Sequence, residues 1–110
     1  MIISWTDFEK IDIRTGTILE VTEFPEARRP AYKMKIDFGE LGIKNSSAQI
    51  TAHYSTDALM GIQVVAVVNF PPKQIGKFWS ECLVLGVYTA EKGAVLLKPG
   101  SIVSNGLRIG

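Results

Sequence analysis

The chain contains few residue combinations that could carry out a reaction. Its one histidine, His53, lies four residues before Asp57, a helical spacing, but two ligands do not form a zinc site. The one cysteine, Cys82, lies inside an apolar run, where a thiol usually behaves as a small buried hydrophobe. Glu81 has no second carboxylate beside it with which to divide acid and base roles. We therefore expect no catalytic residue, no metal site and no cofactor.

The chemistry that remains is that of binding, and it is concentrated between Val64 and Gly86. An apolar run, Val64–Val68, predicts a strand buried on both faces, and Phe70-Pro71-Pro72 ends it because proline has no backbone N–H to donate. A second apolar run, Cys82–Val87, predicts the next strand. The loop between them is both cationic and aromatic, through Lys73, Lys77, Phe78 and Trp79. This pairing predicts a functional loop.

A surface of this kind suits single-stranded or irregular RNA. Basic side chains contact phosphates, aromatic rings stack on bases, and serine or asparagine reaches phosphate and 2′-OH groups. For alternating lysines on a strand, a solvated face is the alternative. The predicted RNA-binding residues are Arg14, Lys33, Lys35, Lys44, Ser46, Asn69, Lys73, Lys77 and Ser80.

The same surface also suits an extended, non-native peptide. Aromatic and proline side chains would line an apolar groove for it. For Trp79, packing over one end of the fold is the alternative interpretation. The predicted peptide-binding residues are Phe24, Pro25, Tyr32, Phe70, Phe78 and Trp79.

Length and composition limit these hypotheses. A chain of 110 residues predicts one domain, residues 1–110, with a core that needs no disulfide. The net charge of +1 provides no overall field for nucleic acid, so an RNA partner requires a local basic patch. The first residues do not resemble a secretory signal peptide, and no apolar run is long enough for a membrane helix. We expect a cytoplasmic protein without membrane insertion.

The elements that position these residues follow from hydrophobic periodicity. Thr6 and Glu9 predict a capped helix start, with Phe8 and Ile11 facing inward. Ile13–Phe24 predicts a long strand that bends or bulges at Gly16. Tyr32–Phe38 alternates between apolar and polar residues and is the strongest strand signal in the chain.

Further strands are predicted at Ile43–Ile50 and Ala94–Leu97, and a short helix capped by Ser55 or Thr56 precedes Gly61. The pattern predicts an all-β protein, a five-stranded OB-fold barrel with short helices and N- and C-terminal extensions. An SH3-like barrel and an open α+β sheet are the alternatives.

Apolar residues persist at both ends of the chain, outside the predicted barrel. A homodimer contact would cover them, and the alternative is that both termini fold back on their own barrel. The predicted interface residues are Ile3, Trp5, Ile102, Val103, Leu107 and Ile109.

Several motifs resemble those of the tRNA-binding domain family, which includes the C-terminal domain of bacterial methionyl-tRNA synthetase and the endothelial-monocyte-activating-polypeptide module. Asp12–Ile18 resembles the family's Asp-Ile-Arg-x-Gly-x-Ile opening, and Ile36–Gly39 its Val-Asp-x-Gly element. Asn69 with Ser80-Glu81 matches the family's Asn…Ser-Glu framework. Longer blocks, at 24–39, 42–51 and 64–86, resemble the CsaA-type export-related chaperones within that family.

The resemblance implies an OB-type barrel, a homodimer and no catalysis. It implies tRNA and unfolded or secretory precursor polypeptides as partners, with the export ATPase as a further partner. This chain departs from the wider family in having Ser80-Glu81-Cys82-Leu83 for Ser-Glu-Gly-Met, and Phe70-Pro71-Pro72-Lys73 for the usual basic residues. These changes remove charge and add apolar surface, which favours a peptide ligand.

Overall fold

The computed structural model describes residues 1–110. Short strands account for most of its regular structure, and neither of its α-helices has the length and apolar character to cross a membrane. In chain order the elements are α1 (Trp5–Glu9), β1 (Ile13–Glu23), β2 (Tyr32–Asp37), a 3-10 helix (Gly39–Leu41), β3 (Ile43–Ala48), α2 (Thr56–Leu59), β4 (Gln63–Val67), β5 (Lys73–Ile75), β6 (Phe78–Ser80), β7 (Leu83–Val84), β8 (Gly86–Thr89) and β9 (Gly93–Leu96).

The central feature is a five-stranded antiparallel sheet in the order β3-β2-β1-β4-β7. It curls until the free edge of β3 meets residues 80–82, so the barrel is nearly closed. The predicted all-β, OB-type barrel of five strands is confirmed. An open sheet does not describe this arrangement, since the outer strands meet.

Two strands form for the reasons that the sequence indicates. Tyr32, Met34 and Ile36 of β2 are buried, and the intervening residues lie on the outer face. Every residue of β4 is buried, as expected for a strand with no solvent face. Ser55 caps α2 by accepting a hydrogen bond from Ala58 N, which confirms the second helix.

The bend of β1 lies elsewhere than predicted. The register with β2 slips between Ile18 and Glu20, so the bulge is at Leu19 and not at Gly16. Gly16 instead leaves room for the core: a Cβ atom there would lie 2.7 Å from side-chain atoms of both Ile36 and Phe38. The glycine is therefore explained by the packing of Phe38, which is fully buried.

The first helix begins two residues earlier than predicted. Ser4 Oγ accepts from Asp7 N, and the Asp7 carboxylate accepts from Ser4 N, each at 3.1 Å, so Ser4 is the cap and not Thr6. These bonds from Ser4 lower the pKa of the Asp7 carboxyl. The predicted inward face is also wrong in part, because Ile11 is exposed.

The stretch between β4 and β9 is more divided than predicted. The cationic loop contains a small hairpin, with Lys73 paired to Ser80 and Ile75 paired to Phe78. The predicted single strand Cys82–Val87 is two strands: β7 pairs with β4, whereas β8 leaves the barrel and pairs only with β9.

The C-terminal segment completes the sheet at the start of β1. Before Thr17, that side of β1 has no partner in β2, and the segment supplies one: Thr15 N donates to Leu107 O, Gly106 N to Thr15 O and Ile109 N to Ile13 O. Gln63 holds Val103 through hydrogen bonds in both directions. The C-terminal segment therefore folds back on its own barrel.

Its apolar side chains nevertheless remain exposed, as do those at the other end of the chain. Trp5 is 73% exposed and Ile102 is 84% exposed. Arg108 donates to Glu9 O at 2.7 Å, which brings the two termini together. The side chains of Ile3, Val103, Leu107 and Ile109 are also exposed, but less so than those of Trp5 and Ile102.

We predict that Gly16→Ala lowers the free energy of unfolding by about 1–3 kcal/mol, because the added methyl group overpacks the core against Ile36 and Phe38. The measurement is urea denaturation. Gly100→Ala is the matched control, since a Cβ there meets nothing within 4 Å. Equal midpoints for the two variants would show that Gly16 is not required by packing.

Candidate binding groove

A groove of about 860 Å³ opens on one side of the barrel. Its walls are residues 26–31, the end of β3 and the β5–β6 hairpin, and its floor continues from Cys82 to the inner face of β8 and β9. This volume is within the usual range for ligand sites. Its apolar lining includes Ala31, Ile50, Val84, Leu85, Ala94 and Leu96.

Part of the apolar lining is open to solvent. Leu83 is 49% exposed and Tyr88 is 82% exposed, and both side chains belong to the groove. Exposed large apolar residues that adjoin an apolar floor are typical of interaction sites, unlike single exposed ones scattered over a surface. The groove can therefore take up an apolar ligand.

Cations border this apolar surface. Arg28, Arg29 and Lys73 line the groove and Glu26 is the one carboxylate among the lining residues, so the formal charge is three minus one, or +2. None of the three cations has a carboxylate within 4.0 Å, because the ion pairs of the chain join Lys10 to Asp7 and Arg14 to Asp12. The groove thus combines an apolar floor with free positive charge at its edge.

The hairpin wall is held by aromatic packing. The Phe78 ring meets the Phe24 ring edge-on, with centroids 5.3 Å apart, and the Lys33 ammonium lies 5.4 Å from Phe24 and 5.9 Å from Phe78. Since side chains alternate along a strand, Trp79 points to the opposite face of the hairpin, where it is half exposed.

The wall formed by β3 is joined to residues 80–82 mainly by side-chain hydrogen bonds, without a regular strand ladder. Asn45 N donates to the Glu81 carboxylate and Glu81 N to Asn45 O, both at 2.8 Å. Ser46 is fully buried and donates to Cys82 O, while Ser80 Oγ accepts from Ser47 N. Ser46 is therefore a core residue, and its interpretation as an RNA contact is wrong.

Two other predicted RNA contacts serve the fold. Arg14 donates to the Asp12 carboxylate at 2.6 Å and to Gly106 O, and its hydrogen bond to Asp12 raises the pKa of the guanidinium. Asn69 accepts from Asp12 N and donates to Lys10 O, which joins the end of β4 to the start of β1. Both side chains are occupied by intramolecular partners.

The predicted lysine stripe is electrically balanced. Lys33 and Lys35 share the outer face of β2 with Asp37, and Glu20 of β1 lies directly opposite Lys35. Lys44 pairs with the buried Ile36, and so belongs to the other face of the sheet. By contrast, Lys73 and Lys77 are exposed on the hairpin.

The predicted peptide contacts divide in the same way. Tyr32 is buried, with its hydroxyl donating to Tyr54 O, and Phe24 is buried beneath the hairpin. Tyr32 is a core residue and not a ligand contact. Pro25, Phe70 and Trp79 are exposed, but none of these three is among the residues that line the groove.

The candidate catalytic groups lie in unreactive settings. Burial raises the pKa of the Cys82 thiol to about 11, so little thiolate forms near neutral pH. His53 is exposed with its ring against Tyr54. No three side chains of His, Cys, Asp or Glu come together in a geometry that could hold a metal ion.

Most residues that line the groove are absent from the sequence-based predictions, among them its two arginines and its two most exposed apolar residues. Arg28 and Arg29 adjoin each other in the turn after β1, and two adjacent arginines in a loop are a signal that could have been used. Leu83 and Tyr88 had no usable signal, because both lie in strands whose exposed side depends on how β7 and β8 separate.

Solved structures share this fold and this length. The CsaA chaperone protein from Picrophilus torridus is 54% identical to this chain, with a TM-score of 0.94, and the match covers 99% of this chain and all of that one. The chaperone CsaA from Bacillus anthracis str. Ames is 49% identical, with a TM-score of 0.94 and full coverage of both chains.

Enzymes contain the same unit as a small part. The methionine–tRNA ligase of Porphyromonas gingivalis is 33% identical over 107 residues, which are 97% of this chain but 15% of the ligase. The family described as "Putative tRNA binding domain" matches residues 13–108, that is, nearly the whole barrel and the C-terminal segment. The chain therefore belongs to the tRNA-binding domain family.

Proposed function

We propose that this protein is a molecular chaperone that holds apolar segments of unfolded polypeptides in the groove. The observation that carries the proposal is that exposed apolar residues of the groove, Leu83 and Tyr88, lie in the same lining as a cation without an ion-pair partner, Arg28. The similarity to CsaA chaperones over their whole length supports it. A holding function of this kind requires binding alone, without bond chemistry or a cofactor.

The proposal extends to the cellular task. Clients would be secretory precursors held unfolded in the cytoplasm, with the export ATPase as the partner that receives them. An apolar groove suits such clients, because a precursor that has not folded exposes apolar segments that a folded protein buries. The proposal gives the protein no part in membrane insertion.

If a client buries Leu83, a charged residue at this position should weaken client binding. We expect the wild-type protein to suppress light scattering by an unfolded enzyme that is diluted from denaturant. We expect Leu83→Glu to weaken peptide affinity by roughly ten- to a hundredfold, because burial of a leucine side chain is worth about 1.5–3 kcal/mol. Ile43→Glu is the control, because Ile43 is exposed at the start of β3 and is not among the residues that line the groove. No suppression by the wild type contradicts the chaperone role, and an equal decrease of affinity in both variants contradicts the groove.

A second candidate function is binding of structured tRNA, and family membership favours it. Contacts would come from the exposed cations of the groove edge and the hairpin, Arg28, Arg29, Lys73 and Lys77. The lysines of β2 are less suited, because Asp37 and Glu20 offset their charge. Such contacts are made to phosphates, so they position the RNA without reading its sequence.

Salt dependence tests this candidate. We expect Lys73→Ala with Lys77→Ala to weaken tRNA binding uniformly across sequences and to lower the slope of log K against log salt by about 1 for each phosphate that no longer meets a lysine. The measurement is a salt titration of tRNA affinity. Lys92→Ala with Lys98→Ala removes the same charge away from the hairpin and should leave the slope unchanged. Affinity that does not change with salt rejects an RNA role.

We further propose a homodimer through the exposed apolar residues of the two termini. Hydrogen bonds already fix the C-terminal backbone in the monomer, so dimer formation would not cost backbone conformational entropy there. The residues that this backbone presents are Ile102, Val103, Leu107 and Ile109. Arg108 donates to Glu9 O at the end of α1, so it joins the C-terminal segment to the helix that begins at Trp5. A two-fold contact would cover both ends at once.

We expect wild-type protein to sediment as a dimer at micromolar concentration and Trp5→Ser with Ile102→Ser to sediment as a monomer, because these two most exposed interface residues lose their apolar area. Ile43→Glu again serves as the control and should remain dimeric. A monomeric wild type at this concentration contradicts the proposed interface.

A further inference from the structure

β8 has an open edge. It pairs with β9 on one side, and no strand pairs with it on the other. Leu97 N donates to Leu85 O at 3.0 Å. The C=O and N–H of one trans peptide unit point in opposite directions, so the N–H of Gly86 points away from β9.

The directions of the remaining backbone groups follow by alternation. In an antiparallel ladder the N–H and C=O of one residue point to the same side, and the side changes at each residue. Val87 and Thr89 therefore bond to β9, and Gly86 and Tyr88 present their backbone groups to the open side. All four residues of β8 are exposed.

This edge is short, at four residues, but it lacks the other features that protect edge strands. Gly86-Val87-Tyr88-Thr89 contains no charge, no proline and no bulge, which are the usual devices against pairing with another chain. Three other edges of the fold have partners: β3 bonds to Glu81, the start of β1 to Leu107, and β9 to the Tyr54 hydroxyl through Leu96 N. The outer edge of β5 has no partner strand either, but two prolines precede it and Lys73 begins it. β8 is left able to accept a strand.

The open edge also lies at the groove. Gly86 and Tyr88 are among its lining residues, together with the inner-face residues Ala94 and Leu96 of β9. A chain that follows the groove therefore passes both the unpaired backbone groups and the apolar floor. Arg28 and Arg29 line the same groove, where they can meet a carboxylate.

We propose that an extended segment of unfolded polypeptide adds to β8 as a third strand, with backbone hydrogen bonds to Gly86 and Tyr88. Alternate apolar side chains of the segment enter the groove, and an acidic side chain near one end meets Arg28 and Arg29. This inference rests on the proposed polypeptide binding and specifies its mode. Strand addition supplies affinity through the main chain and thus accepts many client sequences.

Alternating N-methylation of a peptide tests the backbone bonds directly. The probe is a synthetic peptide that alternates leucine with serine and ends in a pair of glutamates. Two methylated versions are made. In one, N-methyl groups replace the N–H groups of every second residue, those that face β8, so the peptide cannot donate to β8. In the other, the intervening residues are methylated, so the donors that face β8 remain. We expect one methylated peptide to bind roughly tenfold or more weakly and the other to bind as the unmodified peptide does.

Tyr88→Pro is the matching change in the protein. It removes the N–H that faces the open side, which an edge strand tolerates. Tyr88→Ala removes the same side chain but keeps the donor, so we expect Tyr88→Pro to bind the peptide about tenfold more weakly than Tyr88→Ala. Amide exchange by NMR, with peptide bound, should protect Gly86 and Tyr88 in the wild type and leave Val87 unchanged, which also checks the result if Tyr88→Pro fails to fold.

The outcomes separate this inference from the proposed function. If both methylated peptides bind as well as the unmodified one, side chains alone hold the client and strand addition is wrong, while the chaperone proposal stands. If peptide binding and aggregation suppression are both absent, the chaperone proposal itself fails. Conversion of a dimer to a monomer by Tyr88→Pro, or protection of the β8 amides by tRNA alone, also overturns the inference, since a second copy or RNA would then occupy the edge.

Discussion

The molecule depends on how β3 is joined to the segment that follows the hairpin. No regular ladder connects them; instead Glu81 exchanges hydrogen bonds with the backbone of Asn45 at 2.8 Å, and Ser46 donates to the carbonyl of Cys82. The side chains of Glu81, Ser46 and Ser80, with one backbone bond from Glu81 N to Asn45 O, thus close a barrel that five strands alone leave open. The groove lies beside these bonds, since Ser47, Ser80 and Cys82 also line it. Closure of the barrel and the position of the groove therefore involve the same residues.

Hydrogen bonds from the outer face of the sheet also determine how the C-terminal end of the chain is displayed. The C-terminal segment occupies the side of β1 that β2 does not reach, and Thr15 and Gln63, whose side chains point away from the core, satisfy its backbone. These bonds hold the main chain while the apolar side chains face outward. A segment held in this way is a fixed surface and not a loose tail. This accounts for both interpretations of the sequence, since folding back and presenting an interface are compatible.

Much of the barrel could be predicted because its signals are local. β2 alternates and β4 is apolar throughout, and each pattern reports the environment on both faces of its strand. The β5–β6 hairpin could not be found in this way, because its three-residue strands depend on Phe78 packing against Phe24 and Lys33. Ser46 has the polarity of a surface residue, and only its partner 36 positions away makes it a core residue. The sequence therefore misassigns a site residue when contacts with residues far along the chain decide whether its side chain is exposed.

The groove also bears on how one fold could serve two kinds of ligand. Its cations lie at the edge of an apolar floor, and a phosphate backbone can use the cations but gains nothing from the floor. An unfolded polypeptide can use the floor, the cations and the edge of β8 together. Electrostatic contacts at an exposed edge weaken as salt rises, whereas burial of apolar surface does not. Under the proposed function, the balance between the two ligands would therefore be set by the apolar residues beside these charges, with Leu83 and Tyr88 favouring polypeptide.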